Sequence, residues 1–142
     1  MTEKLSKKVK RQKMQSSRLI YRIMQKTLKQ KDKLSQDKEH LWVMLLDNSL
    51  QIKSLELLSI GTIKEVLSNP MEIFSIAFQK RAVKLILIHN HPSGNLLPSA
   101  EDIDNTDQII QLGKMHDIPL VDKLIISTKD YFSFQDSGLF EE

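Results

Sequence analysis

The sequence predicts a mixed α/β domain, of α+β type, with helices packed around one sheet. Three observations carry the prediction. Strand-like runs recur at Leu41–Leu46, Leu50–Leu58, Val83–Ile88, Leu120–Ser127 and Tyr131–Phe134. Segments with helical spacing of apolar residues stand before and between them. Turn-forming residues separate the two kinds, and no internal repeat is present.

Residues 1–15 are polar, basic and weakly periodic, and are expected to form a flexible tail. Ser16 and Ser17 offer an N-cap. Leu19, Ile20, Tyr21, Met24, Thr27 and Leu28 then follow at helical spacing, which predicts an amphipathic helix over 18–30. Lys31–Lys38 is a charged linker, so 16–38 forms the N-terminal helix and linker of a single domain over 16–142. Leu41–Leu46 ends in Asp47-Asn48-Ser49, which is turn chemistry, and Leu50–Leu58 completes a hairpin. Gly61-Thr62 breaks the chain. Asn69-Pro70 opens a helix over 70–81 with Ile73, Phe74, Ala77 and Phe78 on one face. Val83–Ile88 reads as a buried strand and 92–98 as a loop. Ser99 caps a helix running to about His116, with Ile103, Ile109, Ile110 and Leu112 as its apolar positions. Two strands, Leu120–Ser127 and Tyr131–Phe134, close the domain.

Composition narrows the function classes. Of the 142 residues, 40% are hydrophobic, enough for an ordinary core. Cysteine is absent, which excludes disulfides and thiolate metal sites; any metal here takes His and carboxylate ligands. Apolar runs such as Leu85–Ile88 are short, and none approaches the roughly 18 residues of a membrane span. The charged N-terminus has no apolar signal core, so a cytoplasmic protein is expected. Charge is uneven. Residues 1–34 carry twelve Lys/Arg against two Asp/Glu, a net of +10, and the remainder carries nine against sixteen, a net of −7.

The chemistry concentrates in one segment. His89 and His91 are two apart at the end of an apolar strand, so both imidazoles can share a face and converge. Pro92 and Gly94 turn the chain, and the helix that begins at Ser99 puts Asp102 in its first turn. Two imidazoles and a carboxylate make a zinc set, and three protein ligands leave a position for water, as in catalytic sites. Each piece has an ordinary reading. A lone strand histidine is usually structural, and Ser99-x-x-Asp102 alone is a helix capping box. Their joint occurrence at defined offsets favours the metal site.

His89-x-His91, seven residues, Ser99, two residues and Asp102 match the JAMM (MPN+) signature at every spacing. The surroundings resemble its RadC branch: His-Asn-His-Pro-Ser-Gly over 89–94, Pro98-Ser99, Thr106, Gly61-Thr62, and Val121-Asp122-x-Leu124-Ile125-Ile126. The resemblance runs from about Ser16 to at least Ser127. It implies an MPN/JAB-like (cytidine-deaminase-like) domain with a central, mostly antiparallel sheet flanked by helices. It also implies a zinc-dependent hydrolase that cleaves an amide bond with a zinc-activated water, as a metallopeptidase or isopeptidase. Zn2+ would be held by His89, His91 and Asp102, with Glu39 as general base and Ser99 supporting the oxyanion. Without the resemblance, Glu56, Glu65 and Glu72 are as plausible as Glu39.

Three features depart from the family. Lys123 stands where it commonly has His, and Met71 stands where a basic residue usually follows the helix-opening proline. The 38 residues before Glu39 are too few for the helix-hairpin-helix module of longer RadC proteins, so a short form is expected. The expected partner is a peptide or protein substrate, with no membrane association. The competing reading is a non-catalytic, zinc-stabilised or DNA-associated module, drawn from the basic N-terminus. A Lys-rich helix face is more often simply solvated, and Tyr21 is the only aromatic there, so nucleic acid is not the favoured partner.

Overall fold

The computed structural model describes residues 1–61 and 69–140. Five strands, β1 (Glu39–Leu46), β2 (Ile52–Gly61), β3 (Lys84–Asn90), β4 (Leu120–Ile126) and β5 (Tyr131–Ser133), form one sheet in the order β2-β1-β3-β4-β5. Three of the four pairings are antiparallel, and β3 with β4 is parallel. The parallel pair needs a crossover, which the sixteen-residue α5 (Ala100–Met115) provides. The other helices are α1 (Lys7–Lys10), α2 (Ser17–Lys29), α3 (Lys33–Gln36) and α4 (Pro70–Gln79). This is the mixed α/β, mostly antiparallel architecture expected. No helix among the described residues is long and apolar enough to cross a membrane.

Strand alternation splits the core into two layers. Trp42, Met44, Leu46, Ile86, Ile88, Leu124 and Ile126 face α2, which covers them with Ile20, Ile23, Met24 and Leu28. Val43, Leu45, Leu85 and Leu87 face the other way, against Ile73, Phe74 and Ala77 of α4 and Ile109 of α5. Glu39 and His89 continue this second face, because Leu41 pairs with His89 and alternation puts Glu39 on the same side as Leu41.

Several local expectations are corrected. Residues 1–15 do not hang free. Thr2 bridges Glu56 on the outer edge of β2, Glu3 accepts the Trp42 Nε1–H at 2.8 Å and pairs with Lys31, and Met14 is fully buried. The segment is held by backbone pairing and a few anchors, which leave no periodic apolar stripe to read. The linker over 31–38 contains α3, capped by Asp32. Leu50 belongs to the turn rather than to β2: its φ is 65°, and Asp47 Oδ1 accepts the Ser49 and Gln51 N–H groups around it. Phe78 is 51% exposed although it shares a face with buried Phe74 and Ala77. In α5 the buried positions are Asp102, Thr106, Ile109 and Gly113, while Ile103, Ile110 and Leu112 are only half-buried. A Cβ at Gly113 would lie 2.6 Å from the Ile118 carbonyl oxygen. The helix therefore sits on the sheet through its small and polar side.

Candidate metal centre

The start of β1, the end of β3 and the first turn of α5 meet at one point. Glu39 opens β1, His89 is the penultimate residue of β3, and His91 follows the strand with its N–H bonded to the Ile126 carbonyl at 2.8 Å. One ligand atom each from Glu39, His89 and His91 lie within 4.8 Å of one another. Asp102 borders this set: its Oδ1 is 3.8 Å from His89 Nδ1 and its Oδ2 is 3.9 Å from His91 Nε2. His91 Nε2 is also 3.9 Å from Glu39 Oε1. A small ion with bonds of about 2 Å can bridge separations of this size.

The side chains are held by their surroundings. His91 Nδ1 lies 2.7 Å from the Asn95 carbonyl, which accepts its N–H and leaves the Nε2 lone pair facing the cluster, a usual outer-shell arrangement for a metal-ligating histidine. His89 is 4% exposed, and its Nε2 lies against Glu39 Oε1 without making a hydrogen bond. Burial lowers the His89 pKa, more than the neighbouring Glu39 raises it, so the imidazole is neutral at neutral pH. A neutral, buried ring nitrogen with no hydrogen-bond partner, beside two carboxylates and a second imidazole, fits a divalent cation.

Ser99 and Asp102 form the capping box read from the sequence. Ser99 Oγ accepts the Asp102 N–H and Asp102 Oδ2 accepts the Ser99 N–H, both at 3.0 Å. The capping and cluster positions of Asp102 coexist. Burial would raise its pKa, but the Ser99 N–H and the Lys123 charge outweigh that and hold the carboxyl below its ordinary value. Thr106 Oγ1 donates to the Asp102 carbonyl at 2.7 Å one turn later.

Lys123 is not an ordinary solvated lysine. It pairs with Leu87, on the face that carries His89, and is 2% exposed. Burial lowers its pKa to about 8, with Asp102 acting in the opposite direction, and its Nζ lies 5.6 Å from the Phe134 ring centroid. Among the other glutamates weighed, Glu56 is buried on β2 and accepts the Thr2 hydroxyl, and Glu72 is exposed in the first turn of α4. Neither belongs to the cluster. Glu65 and the loop around it lie outside the described residues.

Two residues that sequence reasoning passed over complete the frame. Asn90, between the two histidines, accepts the His40 N–H on Oδ1 at 2.5 Å and donates from Nδ2 to the Lys38 carbonyl at 3.0 Å. His40 is fully buried and stacks on Trp42, with ring centroids 5.0 Å apart. Burial lowers its pKa. The signal for both was weak: a polar pair, one at each strand end, whose partnership needs the β1–β3 register.

Known proteins resemble this chain over most of its length. Residues 14–139 match the family described as RadC-like JAB domain. The UPF0758 protein tlr1707 of Thermosynechococcus vestitus is 42% identical over 105 residues, covering 74% of this chain and 42% of the relative. A UPF0758 protein of Pelodictyon phaeoclathratiforme is 42% identical over 102 residues, 72% of this chain and 46% of its own length. One from Finegoldia magna is 40% identical over 104 residues, 73% and 47% respectively. The match thus spans less than half the length of these relatives. With the motif on one strand–helix junction and the match across most of its length, this chain belongs to the RadC-like JAB domain family.

Proposed function

We propose that this chain is a zinc-dependent hydrolase cleaving an amide bond in a peptide or protein, as a metallopeptidase or isopeptidase. The carrying observation is the convergence of two imidazoles and two carboxylates, Glu39, His89, His91 and Asp102, at the junction of β1, β3 and α5. Membership of a JAB-domain family supports a metal-dependent hydrolase of this kind.

In this reading His89, His91 and Asp102 hold the ion, and Glu39 is the general base. When bound, the ion supplies Lewis acidity, which polarises a carbonyl and lowers the pKa of a water towards ~7. The Glu39 carboxylate takes the proton of the attacking water and passes it to the leaving amine. Its place at the head of β1, pressed between strands and 2% exposed, fixes that carboxylate beside the imidazoles. The Ser99 hydroxyl, which accepts the Asp102 N–H, keeps its own proton free to donate to the developing oxyanion. The neutral state of His89 suits a ligand and leaves Glu39 as the group that moves the proton.

The test is Glu39→Gln in zinc-loaded protein against a peptide library. Loss of the base costs about 10²–10⁴ in rate while zinc content, read by elemental analysis, stays at the parent level. Glu56→Gln and Glu72→Gln serve as controls and keep their activity. Retained activity in Glu39→Gln, with loss in either control, refutes the catalytic assignment.

A further inference from the structure

We infer that the layer formed by α1 and α2 docks the sugar–phosphate backbone of a nucleic-acid duplex, on the sheet face opposite the metal cluster. The sequence concentrates twelve basic residues in 1–34, and the fold brings the N-terminal segment against the basic helix α2. Residues 1–15 pack beside α2, with Lys4 and Lys26 lining a shared groove of about 200 Å³ together with Val9 and Ile23. Eleven of the twelve cations are exposed, and among the described residues only Lys31 is in an ion pair, with Glu3.

The arrangement on α2 works against the helix itself. Arg18, Arg22, Lys26 and Lys29 are exposed at spacings of four, four and three, a single stripe about 16 Å long. Like charges at these spacings repel. Arg18 also stands in the first turn, where the helix dipole disfavours a cation. A face meant only for solvent gains stability by alternating Glu with Lys, and α2 has no acidic residue. A polyanion with regularly spaced charges offsets this repulsion and gains counterion release.

Other surface chemistry narrows the occupant. The apolar residues of α2 face the core, so no apolar side is left to enter a bilayer. Tyr21, the only aromatic of residues 1–34, is buried and stacked on Tyr131 at 4.7 Å, so it offers no platform for unstacked bases. Contacts limited to phosphates predict duplex binding without sequence preference. The metal cluster lies on the α4–α5 side of the sheet, so docking here leaves it open.

The experiment is fluorescence anisotropy of a labelled 25-base-pair DNA duplex with the full chain, at a series of salt concentrations. The parent binds with log K falling steeply against log salt. The triple variant Arg18→Gln/Arg22→Gln/Lys26→Gln weakens binding at least tenfold at low salt and flattens the slope by about 2 to 3, near 0.9 per lost phosphate contact. It melts no lower than the parent, because the substitutions relieve repulsion. The control Lys53→Gln/Lys80→Gln/Lys114→Gln removes the same charge from elsewhere and stays within twofold of the parent. The inference is overturned if the control weakens binding equally, if the duplex does not bind at low salt, or if single strands, anionic vesicles or poly-glutamate compete better than the duplex. None of these outcomes depends on hydrolase activity.

Discussion

Asn90 and His40 are joined where the β1–β3 ladder stops. The last rung is Leu41 with His89, and beyond it the Asn90 side chain holds the His40 N–H and the Lys38 carbonyl as a neighbouring strand would. This amide sets how far Glu39 stands from the two histidines, because Glu39 lies between the two backbone groups it grips. Asn90→Ala leaves a buried N–H without its partner, which costs about 1–3 kcal/mol. Chemical denaturation reads that loss. Amide hydrogen exchange adds local detail: the His40 amide accelerates far more than those of Val43 or Leu45. Equal acceleration along β1 would mean that Asn90 serves the sheet generally and not the position of Glu39.

Asp102 both caps α5 and borders the cluster, and the two contributions separate experimentally. Asp102→Asn keeps an oxygen for the Ser99 N–H but removes the charge, so metal-free protein melts within a few degrees of the parent. Zinc affinity, measured by competition with a chelator, falls at least tenfold. Asp102→Ala loses the cap as well and costs about a further 1 kcal/mol of stability. Unchanged zinc affinity in Asp102→Asn would leave Glu39, His89 and His91 as the ligand set.

Lys123 makes stability depend on alkaline pH. Its pKa falls from 10.5 in the unfolded chain to about 8 in the fold. Between those values the unfolded state binds more protons, so stability of metal-free protein rises as pH rises through this window; below about pH 8 the full penalty of burying the charge is present. A depression of this size corresponds to roughly 3 kcal/mol. Lys123→Met, close in volume and uncharged, is therefore more stable than the parent at pH 7, and the gain shrinks towards pH 10.5. A pH-independent difference, measured by urea denaturation at several pH values, would contradict the buried-charge account.

A chain starting at Ser16 tests the packed N-terminal segment. Its removal uncovers the β2 edge opposite Glu56, exposes the pocket that Met14 fills and leaves the Trp42 indole N–H without Glu3. The truncated chain still melts cooperatively but is less stable by at least about 2 kcal/mol. Trp42 fluorescence shifts as its polar partner is lost. An unchanged melting temperature would return residues 1–15 to the status of a tail.

Much of the architecture is legible because strands and helices here carry their own periodicity. The apolar run Leu41–Leu46 and the buried Leu85–Ile88 announce strands, and Asn69-Pro70 and Ser99 announce helix starts by their capping chemistry. The α5 contact is less legible, because beside Ile109 it depends on Gly113 and Thr106, small residues whose value lies in the close approach they permit. Ile110 and Leu112 pack at the margin of that contact, only half-buried.

Period and offset within a few residues place His89 and His91 two apart at a strand end and Asp102 three residues after a helix cap. Longer-range pairing supplies the rest. Glu39 reaches the cluster through an antiparallel pairing across fifty residues, Asn90 grips the strand before it, Lys123 is buried by the sheet register, and the basic N-terminus becomes a folded face on the far side. Contacts of that range are set by which strands pair and in what register, and pairing is selected by the burial of whole faces rather than by any residue's immediate neighbours.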